Sequence, residues 1–266
     1  MIIAPLCSSS TANSTFIGSR NNGGVLIDAG CSYKALRGYL AKCDLGIEAI
    51  RAVLVTHEHS DHISGLRVLT KNCDIPVYAS EGTRRVLLEK GLVHNPERLF
   101  GLNEDELDTV EVDFRIRAFS TPHDSAESVG FSFTCNNGYK IAYMTDLGEI
   151  TPEVRSSTLG CDFAVIESNY DSIMLRNNTI YPEFTKERIK SSCGHLSNSD
   201  SADYVLELVE KGATRVVLAH LSKQNNTPKI AYTNTVERLA RAGLTQGRDY
   251  TLNVANVQTN GEYIAV

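Results

Sequence analysis

Thr56-His57-Glu58-His59-Ser60-Asp61-His62 gathers three of the chain's seven histidines and an aspartate into one short turn. Imidazoles and carboxylates are costly to crowd together unless a cation joins them, so this stretch reads first as a metal site. Ahead of it, Arg51-Ala52-Val53-Leu54-Val55-Thr56 is apolar, rich in β-branched residues and too short for a helix. That pattern predicts a buried strand with the ligands at its C-terminal end. Side chains leaving a strand fan out in the following loop, so His57 and His59 can face one ion while Asp61 and His62 reach a second. The zinc-helix pattern His-Glu-x-x-His does not fit, because His59 follows Glu58 directly. A polar, histidine-rich loop without ligand duty is the bland alternative, and the crowding of the histidines weighs against it.

A second ion needs further ligands, and other strand ends supply them. His123 follows Phe114-Arg115-Ile116-Arg117-Ala118-Phe119, Asp146 follows Ile141-Ala142-Tyr143-Met144-Thr145, and His220 follows Arg215-Val216-Val217-Leu218-Ala219. Any one alone would more often be a satisfied structural residue; their shared placement argues for a joint role. The expected assignment puts His57, His59 and His123 on the first metal and Asp61, His62 and His220 on the second. Asp146 bridges them, since a bridging carboxylate offsets repulsion between two cations. Asp28, in Ile27-Asp28-Ala29-Gly30 at another strand end, is expected to orient a ligand histidine from behind, with a turn aspartate as the alternative.

At 266 residues and 42% hydrophobic, the chain can bury a large core. Strand-like runs alternate with helical patterns, which argues for an α/β fold. Helices are predicted over residues 33–42, 83–90 and 200–211, the last with a core stripe of Ala202, Val205, Leu206 and Val209 and with Asn198 or Ser199 as its cap. Asn21-Asn22-Gly23 and Asn136-Asn137-Gly138 predict two hairpins. No repeat or Pro/Gly-rich linker interrupts the chain, so a single domain over 1–266 is expected. No run approaches the roughly 20 apolar residues of a membrane span. The N-terminal Met1-Ile2-Ile3-Ala4-Pro5-Leu6-Cys7-Ser8 lacks the features of a signal peptide. Seven scattered cysteines, without a Cys-x-x-Cys pair, point to reduced thiols. The expectation is a cytoplasmic protein with no membrane partner. A net charge of −6 gives no general attraction to nucleic acid, so such a partner must be held by local basic groups or by the metals. Arg84, Arg85, Lys186, Arg188 and Lys190 are candidates for tracking a backbone, although solvated helix faces are the commoner reading. Aromatic residues, at 7%, indicate no broad stacking platform.

The ordered set Ile27-Asp28-Ala29-Gly30, Thr56 to His62, His123, Thr145-Asp146 and Ala219-His220 resembles the motifs of the metallo-β-lactamase superfamily over nearly the whole chain. The resemblance implies an αββα four-layer sandwich of two mixed β-sheets flanked by helices, with a dinuclear metal site. True β-lactamases of the superfamily carry cysteine or serine where Asp146 stands, which points away from that activity. Cys7 to Thr15, Ile166 to Asp171, Gly194-His195-Leu196-Ser197-Asn198 and Ala219 to Pro228 are similar to the YycJ (WalJ) branch, whose members are regarded as 5′-to-3′ DNA exonucleases. The N-terminal stretch departs from that branch's Ser-Gly-Ser-Ser-Gly-Asn pattern, and Tyr170 stands where histidine is common.

The reaction expected is hydrolysis of a phosphodiester by water activated by two divalent ions, Zn²⁺ or Mn²⁺ with Fe as a further option, and DNA as the partner. Asp61 is the expected orienter or general base. His195, beside a helix start, is expected to contact phosphate or protonate the departing oxygen. Ser222 and Asn226 are candidate substrate contacts, and Ser8 to Asn13 could supply donors at the cleft edge. Two other classes use the same residues: a hydrolase of a thioester, lactone or cyclic phosphodiester, and a non-enzymatic metal-binding regulatory domain.

Overall fold

Antiparallel strands open the chain. β1 (Ile2–Ser9), β2 (Ala12–Ser19) and β3 (Gly23–Ile27) form a meander. The Asn21-Asn22-Gly23 turn joins the last two strands, and Gly23 takes the left-handed φ of 76° that its lack of a Cβ permits. Beyond β3 the pairing turns parallel. The crossovers are α1 (Tyr33–Lys42) before β4 (Ile50–Leu54), then α2 (Ser60–Ile63) and α3 (Leu66–Asn72) before β5 (Val77–Ala79), then α4 (Glu81–Glu89) before β6 (Leu99–Gly101). β4 is buried at every residue except Arg51. A parallel strand covered on both faces carries a continuous apolar run instead of an alternating one, which is why this segment announces itself in sequence.

The later part repeats the logic with different connections. β7 (Phe114–Ser120) and the hairpin of β8 (Val129–Cys135) and β9 (Lys140–Met144) are followed by α5 (Pro152–Thr158) and β10 (Phe163–Glu167). Then come α6 (Ser172–Asn177), α7 (Glu183–Lys190), α8 (Asn198–Glu210), β11 (Arg215–Ala219), α9 (Pro228–Arg241) and β12 (Thr251–Val254). The six strands order as β12-β11-β10-β9-β8-β7, with β9 to β12 parallel. A final strand, β13 (Ile264–Ala265), pairs antiparallel with β1 and completes a seven-stranded sheet, β13-β1-β2-β3-β4-β5-β6. This computed structural model describes residues 1–102, 107, 110 and 112–265.

By its internal contacts the chain divides into two compact units. The first comprises residues 1–118, 125–129 and 256 onward, with a core of Leu6, Phe16, Leu26, Val53 and Leu66. The second comprises residues 119–124 and 130–255, with a core of Met144, Ile166, Val205, Leu218 and Leu239. Within the second, the cap of α8 is Ser197, one residue before Asn198 and two before Ser199: Ser197 Oγ accepts from Asp200 N, and Asn198 is the first residue of the helix. Among the described residues no helix is long and apolar enough to cross a membrane.

The strand ends are bent as well as polar. Among the described residues four non-glycine residues have positive φ; Asp28 (60°) and His220 (55°) directly follow β3 and β11, and Asp146 (58°) stands two residues after the end of β9. A left-handed residue of this kind costs on the order of 1–3 kcal/mol and persists where surrounding bonds over-determine it. Gly30 shows how tightly the Asp28 turn is packed. A Cβ there would lie 1.8 Å from Asp61 O and 2.6 Å from Asn13 N, both backbone atoms. Gly30→Ala is therefore expected to destabilise by about 1–3 kcal/mol. Gly38→Ala, in open space on α1, should gain up to about 1 kcal/mol. Thermal melts of the two variants check this, and equal shifts would refute it.

Candidate metal centre

In the first unit the chain leaves β4 through Val55 and Thr56 and lays its histidines over Asp28. Thr56 N donates to Asp28 Oδ1 (2.8 Å) and Thr56 Oγ1 donates to Asp28 Oδ2 (2.9 Å). His62 Nδ1 lies 2.7 Å from the same Oδ2. The one hydroxyl proton of Thr56 is thus committed to Asp28, so its oxygen accepts from His57 Nδ1 at 3.0 Å. Both rings are thereby set with Nδ1–H donating inward and Nε2 as the lone-pair nitrogen. Asp28 is fully buried. Burial pushes its carboxyl up, against the opposing pull of the His62 imidazole and the Thr56 donors.

The ring centroids of His57 and His59 are 4.6 Å apart, and those of His57 and His62 are 4.2 Å apart. Asp61, in the first turn of α2, brings Oδ2 within 3.4 Å of His62 Nε2. Asn13 joins them from β2: its Nδ2 donates to Asp61 Oδ2 (3.2 Å) and to Ser9 O (3.0 Å), and lies 3.1 Å from His62 Nε2. Glu58, between the two histidines, turns away from them. It accepts from Ala126 N (2.8 Å) and from Thr83 Oγ1 (3.2 Å), tying the 125–128 loop to the start of α4.

The second unit assembles His123, Asp146, His195 and His220 around Glu167, a residue of the Ile166 to Asp171 stretch to which the sequence reading gave no role. Glu167, the last residue of β10, is fully buried. Its Oε1 accepts from His220 Nδ1 (2.6 Å) and His195 Nδ1 (2.9 Å), and its Oε2 accepts from Leu196 N (3.0 Å) and Leu147 N (3.4 Å). Burial would raise this carboxyl, but the charge and hydrogen bonds of His195 and His220 prevail and hold it at about 2. Asp146, Glu167, His195 and His220 each offer a ligand atom within 4.8 Å of the others. His123 Nδ1 donates to Gly194 O (3.0 Å), and its Nε2 is 3.7 Å from Asp146 Oδ1. Burial lowers the His123 imidazole, with the Asp146 carboxylate opposing. The side chain of His195 keeps 15% exposure, whereas that of His220 keeps 2%.

A signal for Glu167 was present. It is an acidic residue ending the wholly apolar Phe163-Ala164-Val165-Ile166, the same arrangement that marks Asp146 and His220. Asn226 and Ser222, considered above as substrate contacts, have their polar atoms engaged inside the protein. Asn226 Nδ2 donates to Ser168 O (2.9 Å), Asn169 O (3.0 Å) and Asn198 Oδ1 (2.8 Å), and its Oδ1 accepts from Asn198 Nδ2 and Thr227 N. Ser222 Oγ accepts from Asn225 N (3.2 Å). These bonds knit the segments after β10 and β11 to the start of α8.

In each unit, imidazoles presenting Nε2 stand with a carboxylate, Asp61 in the first and Asp146 in the second, donor types that suit divalent cations of the zinc, manganese or iron type. Over residues 24–221 the chain matches the beta-lactamase superfamily domain. It is 34% identical over 250 residues to the exodeoxyribonuclease YycJ of Bacillus anthracis, covering 93% of this chain and 92% of that protein. It is 31% identical over 252 residues to the exodeoxyribonuclease WalJ of Streptococcus pneumoniae, covering 92% and 90%. Among solved structures, the metallo-beta-lactamase fold protein YhfI of Bacillus subtilis superposes with a TM-score of 0.71 at 15% identity, over 97% of each chain, a likeness of fold. The matched domain, the two relatives and the shared fold place this chain in the metallo-β-lactamase superfamily of hydrolases, within its YycJ/WalJ branch.

Proposed function

We propose that the protein is a metal-dependent phosphodiesterase that degrades DNA from the 5′ end. The observation that carries this reading is the orientation of four imidazoles. His57, His62, His123 and His220 each have Nδ1 tied to an internal acceptor, which makes Nε2 the nitrogen for a cation. The extent of likeness to proteins named exodeoxyribonucleases supports the choice of DNA among phosphodiesters. We assign His57, His59, Asp61, His62, His123, Asp146 and His220 as ligands of two divalent ions, with zinc and manganese the leading choices. Such ions acidify water and offset charge on phosphorus.

The remaining work falls to side chains. Asp61, one oxygen steadied by Asn13, orients the attacking water and takes its proton. His195, with Nδ1–H held by Glu167, uses Nε2 to give a proton to the departing 3′-oxygen. Asp28 and Glu167 keep the rings in one tautomer and one orientation through the reaction. The test is digestion of 5′-phosphorylated, end-labelled DNA by metal-stripped protein resupplied with Mn²⁺ or Zn²⁺. Stepwise shortening from the 5′ end is expected. No cleavage with either ion, alongside hydrolysis of a cyclic nucleotide or a thioester, would overturn the reading.

A further inference from the structure

Between Glu167 and His195 the chain inserts α6 and α7. This insert carries the three most exposed large apolar side chains among the described residues: Ile173 (59%), Ile180 (71%) and Phe184 (75%). Its inner side is firmly anchored. Leu175 and Ile189 are buried with Tyr170. Lys186 Nζ donates to Arg176 O (3.2 Å), and Asn178 Oδ1 accepts from Ile180 N (2.8 Å) and Tyr181 N (2.9 Å). The backbone is held while these apolar side chains face water, which leaves them open to a partner.

Two observations identify the occupant. The first is position. His195 N donates to Ile189 O in the last turn of α7 (2.9 Å), Gly194 O accepts from His123 Nδ1, and Arg188 pairs with Asp124, the neighbour of His123. A molecule lying along α7 therefore lies beside the histidine cluster. The second is charge. Residues 171–190 hold four cations, Arg176, Lys186, Arg188 and Lys190, against three acids, Asp171, Glu183 and Glu187, in a chain whose net charge is −6. The Lys190–Glu187 pair (2.7 Å) is exposed, and such pairs contribute so little that a lysine readily exchanges carboxylate for phosphate.

We propose that the α6–α7 segment docks the unpaired strand of a nucleic-acid substrate, with Phe184 and Ile180 against base faces and Arg176 and Lys190 on phosphates. This rests on the exonuclease reading and deepens it. Bases within a duplex are already stacked on each other, so this surface selects single-stranded ends. A second copy of the chain is the competing occupant.

The test uses the Phe184→Ala/Ile180→Ser double variant, whose changes lie at exposed positions where folding is little affected. Three quantities are compared with the unaltered, metal-loaded protein. They are affinity for a fluorescein-labelled, cleavage-resistant phosphorothioate single strand, turnover of bis(p-nitrophenyl) phosphate, and mass by light scattering. Affinity is expected to fall on the order of tenfold, while turnover of the small diester stays unchanged. Equal affinity of the two proteins, or no binding by the unaltered one, overturns the proposal. So does a dimer that the substitutions split without loss of strand affinity. Strand binding lost in the variant, with no DNA cleavage by the unaltered protein, would sink the exonuclease reading and leave the docking surface standing.

Discussion

Asp61→Ala is expected to lower DNA hydrolysis by about 10³-fold or more while leaving the fold in place. Two losses combine. On the proposed reading the carboxylate takes part in cation binding and handles the proton of the attacking water, and removal of a positioned base alone is worth about 10²–10⁴. The fold depends on it weakly, because the side chain keeps 21% exposure and sits in the first turn of the short α2. Its partner Asn13 retains the bond to Ser9 O. The measurements are kcat and KM on end-labelled DNA, a thermal melt and metal content per chain. A fall in kcat with the melt within a few degrees is the expected pattern. Activity within tenfold of the unaltered protein would remove Asp61 from both roles.

Glu167→Gln should have the next largest effect, through residues it positions. The carboxylate presents one oxygen to two imidazole N–H donors and the other to two backbone N–H groups. A glutamine keeps one acceptor oxygen and replaces the other by an NH₂, which faces either the imidazole donors or the backbone donors. Facing the imidazoles, it forces both rings to turn or change tautomer; facing the backbone, it leaves the Leu147 and Leu196 N–H groups without their acceptor. Outer partners of this kind typically govern 10–100-fold in metal affinity or activity. The loss of a buried, hydrogen-bonded charge adds about 3–5 kcal/mol of destabilisation. The expected result is a kcat on DNA reduced by about 10²-fold, weaker retention of metal against a chelator, and a lower melting temperature. His195→Gln separates the contributions: it should reduce kcat without weakening metal retention. A Glu167→Gln protein with normal chelator resistance would mean that the carboxylate does not position His220.

The sequence alone determined several of the local elements and suggested the metal chemistry proposed for their ends. β4 and β11 are legible because a parallel strand covered on both faces must be apolar throughout, and the polar residue that ends such a run stands out by contrast. His57, Asp146 and His220 are marked in this way. The crowding of His57, His59, Asp61 and His62 speaks for a cation for a reason equally local, the cost of placing those groups together. Tertiary structure decided what depends on chain crossovers. Glu167 meets His195 and His220 across 28 and 53 positions, and Asn13 meets Asp61 across 48. Periodicity carries no information at those separations. The same holds for the positive φ of Asp28, Asp146 and His220, for the burial that engages Asn226 internally, and for the exposure of Phe184 and Ile180. Each is set by how the neighbouring elements pack, because a side chain's type limits which bonds it can make while only the assembled fold chooses its partner.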